Sequence, residues 1–265
     1  MIEPILLTTA RVSTFHASAL LTVASGFFFE RDEKMYLVTS RHVLVDPFSA
    51  HRPDRIEVEM HVAADNLTEA VAFSVPLYVN GQASWHQGRD GSGEIDVAVI
   101  ELDRAAMPDT VVLQAFTPQH LTTSYDAVEV GTSLLVIGFP LGFHDTLHHL
   151  PVARRAAIAS SFGLRFQGQG FFLTDGRTHR GTSGAPVVMR SPDAPGDVKW
   201  TLLGVHSSRM DMATRDLNQD ESLGLNCAWY ADILMTLTDP ASPAEDNPAQ
   251  AVASQTQGSA AAKAR

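Results

Sequence analysis

Asp175-Gly176-Arg177-Thr178-His179-Arg180-Gly181-Thr182-Ser183-Gly184-Ala185-Pro186-Val187-Val188 places Ser183 among glycines, with a proline three residues on and an apolar run beyond. The pattern predicts a tight loop feeding a buried strand, with the serine presented at the bend. Gly181 and Gly184 permit positive φ and the close approach of another chain. The N–H groups of Gly181 and Ser183 can then converge beside the hydroxyl, as an oxyanion hole requires.

A nucleophile elbow reads Gly-x-Ser-x-Gly, and Ala185 stands where its last glycine belongs. The segment Gly181-Thr182-Ser183-Gly184-Ala185-Pro186 instead resembles the Gly-x-Ser-Gly-x-Pro signature of trypsin-like serine peptidases of the chymotrypsin fold. Two further stretches carry the resemblance. Ser25-Gly26-Phe27-Phe28-Phe29, a charged turn at 30–34, a strand at 35–39 and then Ser40-Arg41-His42-Val43 are similar to the segment that bears the family's catalytic histidine. Ile95-Asp96-Val97-Ala98-Val99-Ile100 is an apolar strand with one carboxylate at its mouth, costly there unless hydrogen-bonded. The family places its triad aspartate in such a run. The plainer readings are a capping or core histidine at 42 and a loop acid at 96, although Asp90 or Glu94 suits a loop acid better. The chain order His42, Asp96, Ser183 is that of the chymotrypsin group.

The resemblance implies an all-β fold of two six-stranded antiparallel Greek-key β-barrels with a short C-terminal helix. Residues 1–120 form a barrel carrying His42 and Asp96, and residues 121–238 a barrel carrying Ser183 and the specificity pocket. Residues 239–265, rich in Pro, Ala, Gln and Ser, read as a disordered tail. Strands are expected at 20–29, 35–39, 56–62, 71–75, 95–102, 133–139, 152–160, 171–173, 199–205 and 223–230. Asn80-Gly81 predicts a hairpin turn and the glycine-rich 87–94 a loop. Residues 231–237 predict a helix with Ile233, Leu234 and Leu237 inward. Gly138-Phe139-Pro140-Leu141-Gly142 resembles a run of the bacterial members, the glutamyl endopeptidases and HtrA-type protease domains. The likeness covers roughly residues 20–238, and no PDZ module is expected.

The implied chemistry is acyl transfer with a polypeptide substrate. Ser183 attacks the carbonyl, His42 takes its proton, Asp96 orients the imidazole, and the N–H groups of Gly181 and Ser183 hold the oxyanion. Ser207 maps onto a serine that supports the triad aspartate. Thr182 replaces the aspartate that pairs with a new N-terminus in zymogens, so trypsinogen-like activation is not expected. Thr178 and His206 fall where glutamyl endopeptidases grip a carboxylate, and Arg177 stands where trypsin-like enzymes hold an acid for Lys or Arg. The implied preference is Glu, with Gln or Asp weaker; the competing reading makes His206 a hydrogen-bonded wall residue. A different class of function is a catalytically silent or partner-activated module that binds peptides by strand addition. A regulated component of a larger assembly, docked to an unidentified protein partner through the acidic surface or the tail, is a third.

The net charge of −11, from 30 acidic and 19 basic side chains in 265 residues, argues against nucleic acid. Cys227 is the only cysteine, so no internal disulfide forms. With no basic leader at the N-terminus, a cytoplasmic location is expected. The apolar run 17–29, broken by Ser18, Thr22, Ser25 and Gly26, reads as strand, and no membrane association is expected. His144-Asp145-Thr146-Leu147-His148-His149 has imidazoles at i, i+4 and i+5 with an acid. Its loop position favours a plain surface segment over a zinc site, and neither a metal nor a cofactor is expected.

Overall fold

The structure, a computed structural model, describes residues 2–91, 93–211 and 222–240. The tail expected at 239–265 lies, from residue 241 on, outside the described residues. The first sheet draws on β1 (Thr9–His16), β2 (Ala19–Arg31), β3 (Lys34–Thr39), β4 (Arg55–His61), β5 (Ala70–Pro76), β8 (Trp85–Asp90) and β9 (Gly93–Leu102). β6 (Tyr78–Val79) and β7 (Gln82–Ala83) form a separate two-stranded hairpin, turned by Asn80 and Gly81 with φ of 52° and 79°. Both values lie in the left-handed region that the Asn-Gly pair favours. β10 (Ser133–Gly138), β11 (Val152–Ile158), β12 (Phe171–Asp175), β13 (Pro186–Arg190), β14 (Trp200–Asp211) and β15 (Ser222–Tyr230) close into a barrel in the order β10-β11-β12-β15-β14-β13. Among the described residues two short α-helices complete the frame: α1 (Arg41–Leu44) and α2 (Ile233–Leu237).

The all-β expectation holds, but of the two expected six-stranded barrels only the second closes; the first is a seven-stranded sheet in the order β5-β4-β1-β2-β3-β9-β8. The loop expected at 87–94 is instead the β8–β9 hairpin. Its glycines obscured it. Gly88 sits beside a bulge, where an added Cβ would touch Ile95 and Leu237 at 3.4 Å, at ordinary contact distance.

The run Phe27-Phe28-Phe29 shows why β2 needs no polar face. Phe27 and Phe29 enter a core that also contains Val188, Leu202 and Val205 of the closed barrel and Leu234 of α2. Phe28 faces the opposite way, into the interior of the first sheet with Leu37, Ile56 and Ile100. A strand covered on both faces reads as continuous apolar sequence, because alternate side chains enter different cores. Each fully buried Phe contributes about 1.5–3 kcal/mol. β9 repeats the device: Val97 and Val99 join the shared core, while Ala98, Ile100 and Leu102 face inward. Asp96 shares the inward parity at the strand's open end, which prepares it to meet the helix that follows β3.

Candidate active site

α1 is a single turn anchored by buried Val43 and Leu44, and it carries His42 between them and Arg41. Arg41 binds Glu94 at 2.8 Å and Gln87 at 2.6 Å, tying the turn to the β8–β9 hairpin. Ser40, fully buried, donates to the carbonyl of His206 at 3.1 Å, tying it to β14. The turn therefore has little freedom.

Asp96 receives three hydrogen bonds. His42 gives two, from its backbone N–H to Oδ1 at 2.8 Å and between Nδ1 and Oδ2 at 2.7 Å. The Ser207 hydroxyl donates to the same Oδ2. The carboxylate only accepts, so Nδ1 of His42 carries the proton and Nε2 offers its lone pair. Burial alone would depress the His42 ring, but the hydrogen bond and charge of Asp96 outweigh it and raise its pKa above the usual histidine value.

Ser183 sits in the loop before β13. Its hydroxyl donates to the carbonyl of Ser207 at 3.0 Å, and not to His42. Gly181 and Gly184 take φ of 88° and 84°, as the sequence required. Among the described residues neither the N–H of Gly181 nor that of Ser183 has a hydrogen-bond acceptor. The neighbouring amides are satisfied: Thr182 donates to His179, Gly184 to His206 and Ala185 to Thr182. The Arg180 carbonyl accepts from Leu141 N–H at 2.6 Å. In a trans peptide the C=O and the following N–H point opposite ways, so this bond sets the direction of the Gly181 N–H. An added Cβ at Gly181 would lie 2.5 Å from the Phe139 carbonyl, which explains the glycine.

Sequence reasoning missed Ser25. Fully buried on β2, its hydroxyl donates to the Gly181 carbonyl at 2.8 Å and accepts from Phe139 N–H at 3.0 Å, and its own N–H donates to the Ser183 carbonyl at 3.0 Å. One serine thus binds both sides of the nucleophile loop and the strand end beneath it. Its only sequence signal was its place before Gly26-Phe27.

Arg177 and Thr178 line a cavity of about 370 Å³ with Asp175, His179, Arg209 and Asn226. The described residues lining it do not include His206. Asn226, also missed from the sequence, is buried and donates Nδ2 to the carbonyls of Gly176 at 2.7 Å and Thr174 at 3.3 Å. That leaves its Oδ1 to accept from the Thr178 hydroxyl at 2.5 Å. The proton of Thr178 is therefore committed inward, and the hydroxyl faces any ligand as an acceptor.

His206 is 2% exposed, and its Nδ1 has no hydrogen-bond partner among the described residues. Complete burial, aided by the charge of His42 and opposed by Asp96, pushes its pKa down to about 4. An unfolded histidine takes its proton near pH 6.5, so this depression stabilises the fold above that pH. The contribution, about 3 kcal/mol, is lost as pH falls from 6.5 towards 4. His42, with a raised pKa, acts in the opposite sense. Urea unfolding of wild type and His206→Gln at pH 7 and pH 4.5 is expected to show a smaller acid loss in the variant. Equal losses would refute the assignment.

The trypsin-like peptidase domain family matches residues 24–192. No curated protein matches the sequence. Among solved structures, the HtrA-type protease AlgW with tripeptide is 18% identical with a TM-score of 0.53, over 87% of this chain and 59% of that one. The serine endoprotease from Yersinia pestis is 16% identical with a TM-score of 0.51, over 87% and 61%. The chain thus spans about three fifths of the length of these neighbours, which share its fold.

Proposed function

Because the chain belongs to the trypsin-like peptidase domain family, we propose that it is a serine endopeptidase working through Ser183, His42 and Asp96. The observation that carries this is the Asp96 carboxylate, which accepts from both His42 and Ser207, while the Gly181 and Ser183 amides have no acceptor among the described residues. Asp96 holds the imidazole in the tautomer that offers Nε2 to the serine proton and offsets the imidazolium that forms. The two amides stabilise the tetrahedral oxyanion, and His42 returns the proton to the leaving amine. A fluorophosphonate probe is expected to label one residue, identified by peptide mapping as Ser183. Folded wild-type protein that does not label at pH 8 would refute the reading.

The pocket supports glutamate before the scissile bond, with glutamine next. Two guanidiniums, of Arg177 and Arg209, stand around the cavity against the one carboxylate of Asp175, which favours an acidic side chain, while the acceptor lone pairs of Thr178 suit an amide N–H. A peptide-library digest is expected to show Glu first and Gln second, with Arg177→Ala moving the balance towards Gln. Cleavage after Lys, Arg or large apolar residues would end this assignment.

A second reading, the catalytically silent or partner-activated peptide-binding module, rests on the Ser183 hydroxyl, which donates to Ser207 instead of His42. Rotation of that one side chain separates the two readings, and the same probe distinguishes them.

A further inference from the structure

We propose that Glu59, His144 and His149 form a zinc(II) site joining β4 of the first sheet to the β10–β11 loop of the second. One ligand atom from each of the three lies within 4.8 Å of the other two, and all three residues are half-buried. The sequence groups the histidines of 144–149 with Asp145. The structure regroups them. Asp145 and His148 satisfy each other at 2.7 Å, and the third ligand comes from β4 instead.

Two buried polar atoms at this place have no hydrogen bond. His149 Nδ1 lies 3.2 Å from Glu59 Oε1, yet Nδ1 makes no hydrogen bond, and neither does Glu59 Oε2, among the described residues. A carboxylate and an imidazole brought together in this way leave lone pairs unused, a condition a bound cation resolves. His144 is oriented for the same purpose. Its Nδ1 lies 2.7 Å from the Gly142 carbonyl, which can only accept, so Nδ1 carries the proton and Nε2 presents its lone pair. A backbone carbonyl holding the far nitrogen of a ligating histidine is the usual support for a metal-bound imidazole.

The loop is already shaped. Asp145 Oδ1 accepts from the N–H groups of Leu147 and His148, Asp145 N–H donates to Leu150, and His61 Nε2 donates to the His148 carbonyl at 2.7 Å. Two imidazoles and one carboxylate, with a fourth position left for water, suit zinc, whereas calcium and magnesium prefer all-oxygen shells. With Zn–N and Zn–O bonds near 2.0–2.2 Å, ligand atoms sit about 3.4 Å apart, a spacing that the present separations, none above 4.8 Å, approach without rebuilding the loop.

The test is competition between the untagged full-length chain and a chromophoric chelator for Zn²⁺, together with Co²⁺ substitution. Expected are one equivalent of Zn²⁺ per chain and an intense visible Co²⁺ band typical of four-coordination. Glu59→Gln and His144→Ala should each weaken Zn²⁺ binding by more than about 100-fold, the upper end of the loss for removing a supporting group alone. His148→Ala should bind as wild type does. Zn²⁺ should raise the melting temperature of wild type and not that of Glu59→Gln, with unchanged far-UV dichroism in every variant. Wild type that binds no Zn²⁺ at micromolar concentration, a pale six-coordinate Co²⁺ spectrum, or equal loss in His148→Ala would overturn the proposal. None of these readouts depends on peptide hydrolysis.

Discussion

Ser183→Ala is expected to lower peptide hydrolysis by about 10⁶ and to abolish fluorophosphonate labelling. The magnitude follows from what the substitution removes: the covalent route itself, leaving only whatever rate the two amides and substrate binding can sustain. The fold should survive. The lost hydroxyl makes one hydrogen bond, to the Ser207 carbonyl, worth about 1 kcal/mol. The backbone contacts of residue 183, including the bond from Ser25 N–H, do not depend on the side chain. Thermal melts and turnover of a glutamyl peptide, measured side by side, check both halves. Hydrolysis that persists in a folded variant would show that Ser183 is not the nucleophile.

Gly184→Ala is expected to be the most damaging single substitution for stability. The new Cβ would overlap the Ser25 carbonyl oxygen and the Thr39 hydroxyl and come within 2.9 Å of Thr39 Cα, all rigid parts of β2 and β3. The residue also has φ of 84°, which costs a non-glycine residue about 1–3 kcal/mol on its own. Together these place the loss at about 4 kcal/mol or more, a large share of the 5–15 kcal/mol of a typical domain. Gly91→Ala provides the contrast, since nothing lies within 4 Å of its added Cβ. Urea midpoints should separate the two widely. A Gly184→Ala protein as stable as Gly91→Ala would mean that the loop does not seat against β2.

What could be read from the sequence follows a physical line. The order His42, Asp96, Ser183 was legible because each lies in a local pattern: a turn after a strand, a carboxylate in an apolar run, a serine among glycines. The structure brings His42 and Asp96 into direct hydrogen bonding and sets Ser183 against Ser207. Ser25, Asn226 and Glu59 were not legible, because each acts through partners far along the chain, such as Gly181, Thr178 and His149. β1 escaped because its mixed polar and apolar residues are mostly buried, including Ser13 and fully buried Thr14. The expected role of His206 beside Thr178 was misread: its ring is buried and does not line the cavity that Arg177 and Thr178 border.

The bonds made by Ser25 also bear on the order of events in a newly made chain. The hydroxyl reaches across 114 residues to Phe139 and 156 to Gly181. No early segment can satisfy it alone, and contacts at such separations form late because their loop-closure entropy must be overcome first. A chain still emerging from the ribosome, or cut between its two sheets, holds His42 and Asp96 without the loop they would act with. On the proposed function, cutting power arrives only with the completed fold.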